Sequence, residues 1–346
     1  MKLPQIAPGV RTALQLGASV ALLAFLISRL DWERSLALIR SADPLLLLAV
    51  IAIQSADRVL MALKWYQLLC VLDTRLGRWG AIRVYYESTF IGFALPLGGL
   101  GPDIVRFVRL RSLGISPHIT LSSMVMERLN GLVATLALLT AGFAVLAGLA
   151  SHPALQKFAI VASVGAGVTG VIACGLIFHR ASGRALLRLL DRRTSTASAR
   201  VAKYAEGIRA YAAQRARLAA NLGLSILEQL VSVFTLWVGS HALDAPLPWI
   251  VCLAVAPVSV IIQRLPLAYA GLGLREGSTA ALLVALGYDY STALILLMTL
   301  FVMFCITLLP GAIILAASGR PRLDASRERA PADQVLRADR PLPPEP

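Results

Sequence analysis

Charge is scarce in this chain: of 346 residues, 15% are Asp, Glu, Lys or Arg against 57% apolar, and the mean hydropathy is +0.72. A soluble domain carries about a quarter charged residues, so a soluble globular fold is excluded. Cysteine is equally sparse. Cys70, Cys174, Cys252 and Cys305 stand singly in or beside apolar runs, with no CxxC and no Cys/His cluster, which leaves neither a zinc site nor a disulfide framework. His118, His152, His179 and His241 have no partner spacing. No GxxxxGK[ST], HExxH or GxSxG is present, so neither an ATPase nor a hydrolase is supported. No catalytic residue, metal or cofactor is expected.

What is abundant is long apolar sequence. Stretches 12–30, 44–63, 121–149, 158–178, 218–240 and 291–317 are each about the length that crosses a hydrocarbon core. The first ends in Ser28-Arg29-Leu30-Asp31-Trp32 without a small-residue cleavage site and reads as a retained helix. The net charge of +14 belongs to loops on the cytoplasmic side, and nucleic acid is not an expected partner. Residues 179–217 carry ten Lys/Arg against Asp191 and Glu206, whereas 241–248 has no Lys or Arg. The expectation is a bacterial inner-membrane protein with both termini cytoplasmic.

Two further apolar regions, 84–114 and 249–287, are broken by Pro and Gly. Loop 64–83, with Lys64, Arg75, Arg78 and Arg83, and the stretch holding Arg106, Arg109 and Arg111 both suit the cytoplasm. A single crossing cannot begin and end on one side. A re-entrant hairpin can, with 84–96 as a half-helix of about 20 Å. Leu95-Pro96-Leu97 and Gly99-Leu100-Gly101 in the first region match Leu265-Pro266-Leu267 and Gly271-Leu272-Gly273 in the second, about 170 residues on. Each half reads helix, helix, hairpin, helix. The expected fold is an all-α polytopic membrane protein, with about six full crossings and two re-entrant broken-helix hairpins in two inverted repeats. Repeat 1 spans about 12–149 and repeat 2 about 158–317, with a basic cytoplasmic linker at 179–217. The tail 319–346, with six prolines, is expected to be a disordered cytoplasmic segment.

Gly98-Gly99, Asp103 and Arg106 are followed by Gly114-Ile115-Ser116 and Glu127-Arg128-Leu129-Asn130-Gly131. Gly271-Leu272-Gly273-Leu274-Arg275-Glu276 and Leu309-Pro310-Gly311 come later. Together these residues resemble the flippase-like transmembrane domain family of lysylphosphatidylglycerol synthases, over about residues 10–318. The resemblance implies lipid handling or translocation. It does not imply lipid aminoacylation, because only a short tail follows Gly319.

Ionisable groups at membrane depth are costly unless paired or wet, so each is a functional candidate. Those on or beside the broken elements are Asp103, Arg106, Glu127, Arg128, Arg264, Arg275 and Glu276, and Glu228 lies midway along 218–240. Arginine forks suit phosphate, and helix N-termini after glycine turns attract anions. The expected hinge or turn residues are Pro96, Gly98, Gly99, Gly101, Pro266, Gly271 and Gly273. Adjacent helix residues do not face each other, so Asp103 or Glu228, rather than Glu276, is the expected partner of Arg275. Asp57 and Arg58 read as a structural or interfacial pair, since a helix from 44 to 72 can place them near the cytoplasmic surface. The leading function is a lipid transporter acting on a phosphate-bearing or polyprenyl-linked lipid. The second is an integral-membrane enzyme or accessory subunit on a lipid-linked cell-envelope precursor, with cell-envelope biosynthesis enzymes as partners.

Overall fold

The computed structural model describes residues 8–72, 74, 76–95, 100–149, 152–178, 211, 213–264 and 272–317. Within these the chain is helical. The elements are α1 (Pro8–Ser28), α2 (Trp32–Arg40), α3 (Pro44–Val71), α4 (Arg78–Ala94), α5 (Gly101–Ser112), α6 (Pro117–Leu149), α7 (Pro153–Phe178), α8 (Arg215–Ala242), α9 (Trp249–Arg264), α10 (Leu274–Ala285), α11 (Tyr290–Thr307) and α12 (Leu309–Ala317). Five runs are long and apolar enough to cross a membrane: Pro44–Val71, Pro117–Gly148, Pro153–Gly175, Arg215–Ala242 and Tyr290–Ala317. Pro96, Gly98, Gly99, Pro266 and Gly271, most of the linker 179–217 and the tail from 318 lie outside the described residues.

Local chemistry starts several helices. Asp43 caps α3, its carboxylate accepting from Leu45 N at 2.8 Å, and Pro44 follows where a missing N–H costs nothing. Asp31 caps α2 and Asp289 caps α11 in the same way. The last apolar run is divided at Leu308, two residues before Pro310, whose ring removes a backbone donor.

Two boundaries differ from the sequence expectation. α3 runs on to Val71 instead of stopping before Lys64, because that lysine finds a carboxylate inside the protein and Trp65–Val71 continues the buried face. α4 begins at Arg78, not 84, and its 17 residues span about 25 Å. Arg78 and Arg83 thus belong to a helix and not to a loop.

Helices α3 and α8 pack side by side, α6 packs on α7 and α9, and α4 packs on α5 and α12. Small residues let backbones touch. A Cβ on Gly142 of α6 would lie 2.5 Å from Leu253 O of α9, and one on Gly311 of α12 would lie 2.5 Å from Tyr86 O of α4. Polar groups add to the packing. Asn130 of α6 donates to Asn221 of α8 at 2.9 Å, and Asn221 donates to Lys64 O at 2.8 Å.

The two ends of the bundle differ. At one, Asp43 N donates to Ala242 O at 2.8 Å, Asp31 N donates to Ser291 Oγ at 3.0 Å, and Arg34 meets Asp289 at 3.4 Å. This end gathers Trp237, Trp249 and His241 in one ring cluster, with Trp32 exposed nearby. At the other end Glu87 of α4 holds Arg83 and Arg109, each at 3.0 Å, and Trp79 is exposed. Indoles favour the boundary between hydrocarbon and water. Trp65, fully buried, is the exception among the five.

Candidate functional site

Between α3, α4, α5, α6, α8, α9, α10 and α11 lies a cavity of about 540 Å³. Its described lining includes five cations, Arg58, Lys64, Arg106, Arg128 and Arg275, and four carboxylates, Asp57, Asp103, Glu127 and Glu228. Each charge has an opposite neighbour, as low-dielectric surroundings require.

The first broken element supplies a locked cluster. Asp103 stands in the first turn of α5 and Arg106 one turn on, so their side chains meet on one helix face. Arg106 also donates to Glu127 of α6 at 2.7 Å, while Arg128 donates its Nε to Asp103 at 2.6 Å. The guanidinium of Arg106 lies 5.0 Å from the centre of the Trp65 ring and 4.9 Å from that of Tyr85. Cation–π attraction and two carboxylates hold this arginine from several directions. Glu127 and Arg128, neighbours in sequence, therefore each pair with the α5 partner of opposite charge and not with each other. Gly101 does not form the turn itself. It sits at the start of α5 against Gly92 O, which a Cβ would approach to 2.2 Å, so the two arms cross backbone to backbone.

The second broken element supplies a looser one. Gly273 has φ +80°, a conformation that L side chains rarely adopt, and it starts α10. Glu276 folds back so that its Oε2 accepts the Gly273 N–H at 2.7 Å, the glutamate half of a capping box, since glycine has no side chain to complete it. That fold-back carries its Oε1 to Arg275, whose Nε donates to it at 2.8 Å. The expectation that Asp103 or Glu228 balances Arg275 is thus corrected: the cap, and not the helix face, sets the pairing. Glu276 is fully buried and sits behind Arg275, which faces the cavity 5.4 Å from the Phe301 ring centre.

A third set joins the central helices. Asp57 lies midway along α3 and is buried, with one oxygen 2.6 Å from Arg58, which lies 5.5 Å from the centre of the Phe304 ring. Lys64 of α3 pairs with Glu228 of α8, both almost wholly buried. Lys64, Tyr85 and Trp65 stand outside the candidates read from the sequence, in which Asp57 and Arg58 read as structural or interfacial. A lysine followed by seven residues that keep the helix going was the signal for Lys64.

Six expected residues, Asp103, Arg106, Glu127, Arg128, Glu228 and Arg275, thus line one cavity, and Glu276 lies directly behind it. The Arg264 side chain lies outside the described residues. Among the described residues no group of three or more His, Cys, Asp or Glu is disposed to hold a metal ion.

A helical bundle with long apolar crossings, two broken elements and a charged interior cavity defines a polytopic membrane protein. The chain belongs to the lysylphosphatidylglycerol synthase TM region family, which it matches over residues 12–311. No curated protein matches it in sequence. The family links this multi-pass membrane protein to lipid handling.

Proposed function

We propose that the protein moves a phosphate-bearing or polyprenyl-linked lipid across the bacterial inner membrane, with the headgroup in the charged cavity and the lipid chains in the bilayer. The observation that carries this reading is the cavity lining: one cation more than carboxylates, with the counter-charge of Arg275 placed behind it on Glu276. Arg275 therefore presents donors to the interior beside a helix N-terminus, a combination that suits an anion.

The inverted-repeat, re-entrant arrangement belongs to the same proposal. α4 and α9, at 17 and 16 residues, reach about 25 Å, short of a core of about 30 Å. The close contact of Gly142 on Leu253 and that of Gly311 on Tyr86 pair the last helix of each half with the broken element of the other. Equivalent positions of the two contacts, Gly142 and Gly311 on one side and Tyr86 and Leu253 on the other, are separated by about 170 residues, as the two Leu-Pro-Leu turns are. The end holding Asp31, Asp43 and Asp289 then faces outward, and the end holding Arg83 and Arg109 faces the cytoplasm with both termini.

The test is lipid translocation by the purified protein in liposomes containing fluorescent phosphatidylglycerol. Arg275→Ala is expected to slow translocation by about tenfold or more, as loss of a charge-assisted hydrogen bond implies. It should still purify as a monodisperse species, and Arg275→Lys should be impaired because it keeps the charge but not the fork. Wild-type rates in Arg275→Ala would move the headgroup site elsewhere.

A further inference from the structure

The carboxylates of the cavity are not equally committed. Asp57 of α3 and Glu228 of α8 stand at the same place, the middle of a helix of 28 residues, and the two helices pack side by side. Glu228 is followed by Gln229 and takes its cation from Lys64 across the helix pair. Asp57 is followed by Arg58, which holds one of its oxygens at 2.6 Å. The other oxygen, Oδ1, is the one buried carboxylate oxygen among the described residues that has no hydrogen-bond partner. Asp103, by contrast, has both oxygens engaged, one by Arg106 and one by Arg128.

A second unpartnered oxygen shares the helix face. Gln54 is three residues before Asp57, a spacing at which helix side chains meet, and both line the cavity. A glutamine beside a charged carboxylate gains by turning its NH2 toward it. Gln54 instead donates its NH2 to Leu300 O at 3.3 Å, and a carbonyl only accepts, so the amide oxygen has to point elsewhere. Gln54 Oε1 is buried without a partner. Two buried acceptors one turn apart are destabilising as they stand. A single proton satisfies both, because Asp57 Oδ1–H then donates to Gln54 Oε1. Neither oxygen is open to a ligand in the cavity, but a hydrogen atom between them needs no such room.

We infer that Asp57, with Gln54 as acceptor, is a proton-binding site that couples movement of the lipid to movement of protons. The inference rests on the reading of the cavity as a headgroup site. Cavity water hands a proton to the Asp57 carboxylate, which becomes neutral and loosens its hold on Arg58. Arg58 lines the cavity, so its guanidinium becomes a further cation for an anionic headgroup, and each ligand favours the other. Proton and anion cross together, and Asp57 returns the proton to water on the far side. The other ionisable groups around Asp57 are engaged elsewhere. Lys64 is tied to Glu228, Glu127 to Arg106 and Arg128 to Asp103. Of the α4 phenols, Tyr86 donates to Ser55 O at 3.2 Å and Tyr85 lies against Arg106. From α11 the cavity receives Leu297, Leu300, Phe301 and Phe304, none of them ionisable. Buried carboxylates at membrane depth serve as proton relays in transporters generally.

The test uses the full chain in liposomes with fluorescent phosphatidylglycerol, an enclosed pH dye and a clamped membrane potential. With the outside one pH unit more acid, inward movement of the lipid should quicken by up to about tenfold, the limit for one linked proton, and the interior should acidify. Asp57→Asn keeps the shape of the side chain and a donor for Gln54 Oε1, so it should fold and purify as a monodisperse species while losing both responses. Gln54→Leu removes the acceptor and should weaken them. A wild-type rate indifferent to the gradient overturns the coupling and leaves the headgroup cavity standing, as does a gradient response that survives in Asp57→Asn. Absence of phosphatidylglycerol movement in the wild type, with and without the gradient, overturns the headgroup reading and the coupling with it. If Asp57→Asn fails to fold, an undiminished response in Gln54→Leu overturns the assignment of the proton to this pair.

Discussion

The two broken elements begin from similar sequence and hold their arginines differently. In the first, Arg106 is shared between Asp103 and Glu127 and flanked by Trp65 and Tyr85. In the second, Arg275 has Glu276 beside it, and that carboxylate is already committed to capping its own helix. A guanidinium clamped by two carboxylates and two aromatic rings serves as structure. One that leans on a single carboxylate and faces a cavity can exchange its partner for a ligand. The comparison teaches that the motif alone does not say which arginine works on a ligand; the count of partners does.

The sharpest way to break this contrast is to remove each arginine. Arg106→Ala strands the buried carboxylate of Glu127 and leaves Asp103 to Arg128 alone, and it is expected to cost about 3–5 kcal/mol of stability. Arg275→Ala leaves Glu276 with its Gly273 N–H and should cost no more than about 1–2 kcal/mol. Unfolding in detergent measures both, and equal losses would end the distinction. The Lys64–Glu228 pair sharpens it further, since it joins α3 to α8 between the two elements. Lys64→Met alone should cost about 3 kcal/mol or more, whereas Lys64→Met with Glu228→Leu should return to within about 1 kcal/mol of the wild type. A double variant as unstable as the single one would mean that the pair contributes more than charge balance.

The smallest effect lies where the second element hands over to α11. Asp289 accepts from Thr292 N at 2.9 Å, and this bond, ahead of the Thr292 hydroxyl and Arg34, holds its carboxyl below the ordinary value of 3.8. A depressed acid stabilises the fold above its unfolded pKa. That contribution is complete above about pH 4–5 and is lost as pH falls through the folded value. Asp289→Ala should cost about 1 kcal/mol at neutral pH and flatten the acid limb of a stability-versus-pH curve. An unchanged limb would assign the acid sensitivity to other carboxylates.

Apolar run length made the long helices legible, and Pro and Gly marked both breaks, because these depend on local chemistry and bilayer thickness. The extent of α3 was not legible, since a lysine in an apolar run reads as an end until its partner 164 residues away is known. The Arg275–Glu276 contact was hidden for another reason. Helix-face reasoning applies to helix interiors, and at a helix start the glutamate turns back on the cap. Asp57 and Arg58 read as structural or interfacial because a helix from 44 to 72 can sit with them near the cytoplasmic surface, and sequence alone does not show that they face the cavity. Six of the cavity charges could be named from sequence because buried charge is rare enough to stand out. Gln54 and Gln229 could not, since an amide in an apolar helix carries no comparable signal.

The burial of Lys64 gives the chain a chemical asymmetry. The sequence has only four lysines, Lys2, Lys64, Lys157 and Lys203, because arginine supplies nearly all of its positive charge. Lys157 is exposed, whereas the ammonium of Lys64 is closed off between α3 and α8 and tied up by a carboxylate. Acylation requires a reachable amine, and Lys64 does not offer one while the two helices stay together. Its rate of modification by a small amine reagent is therefore a clock for the parting of α3 and α8, readable without any lipid being moved.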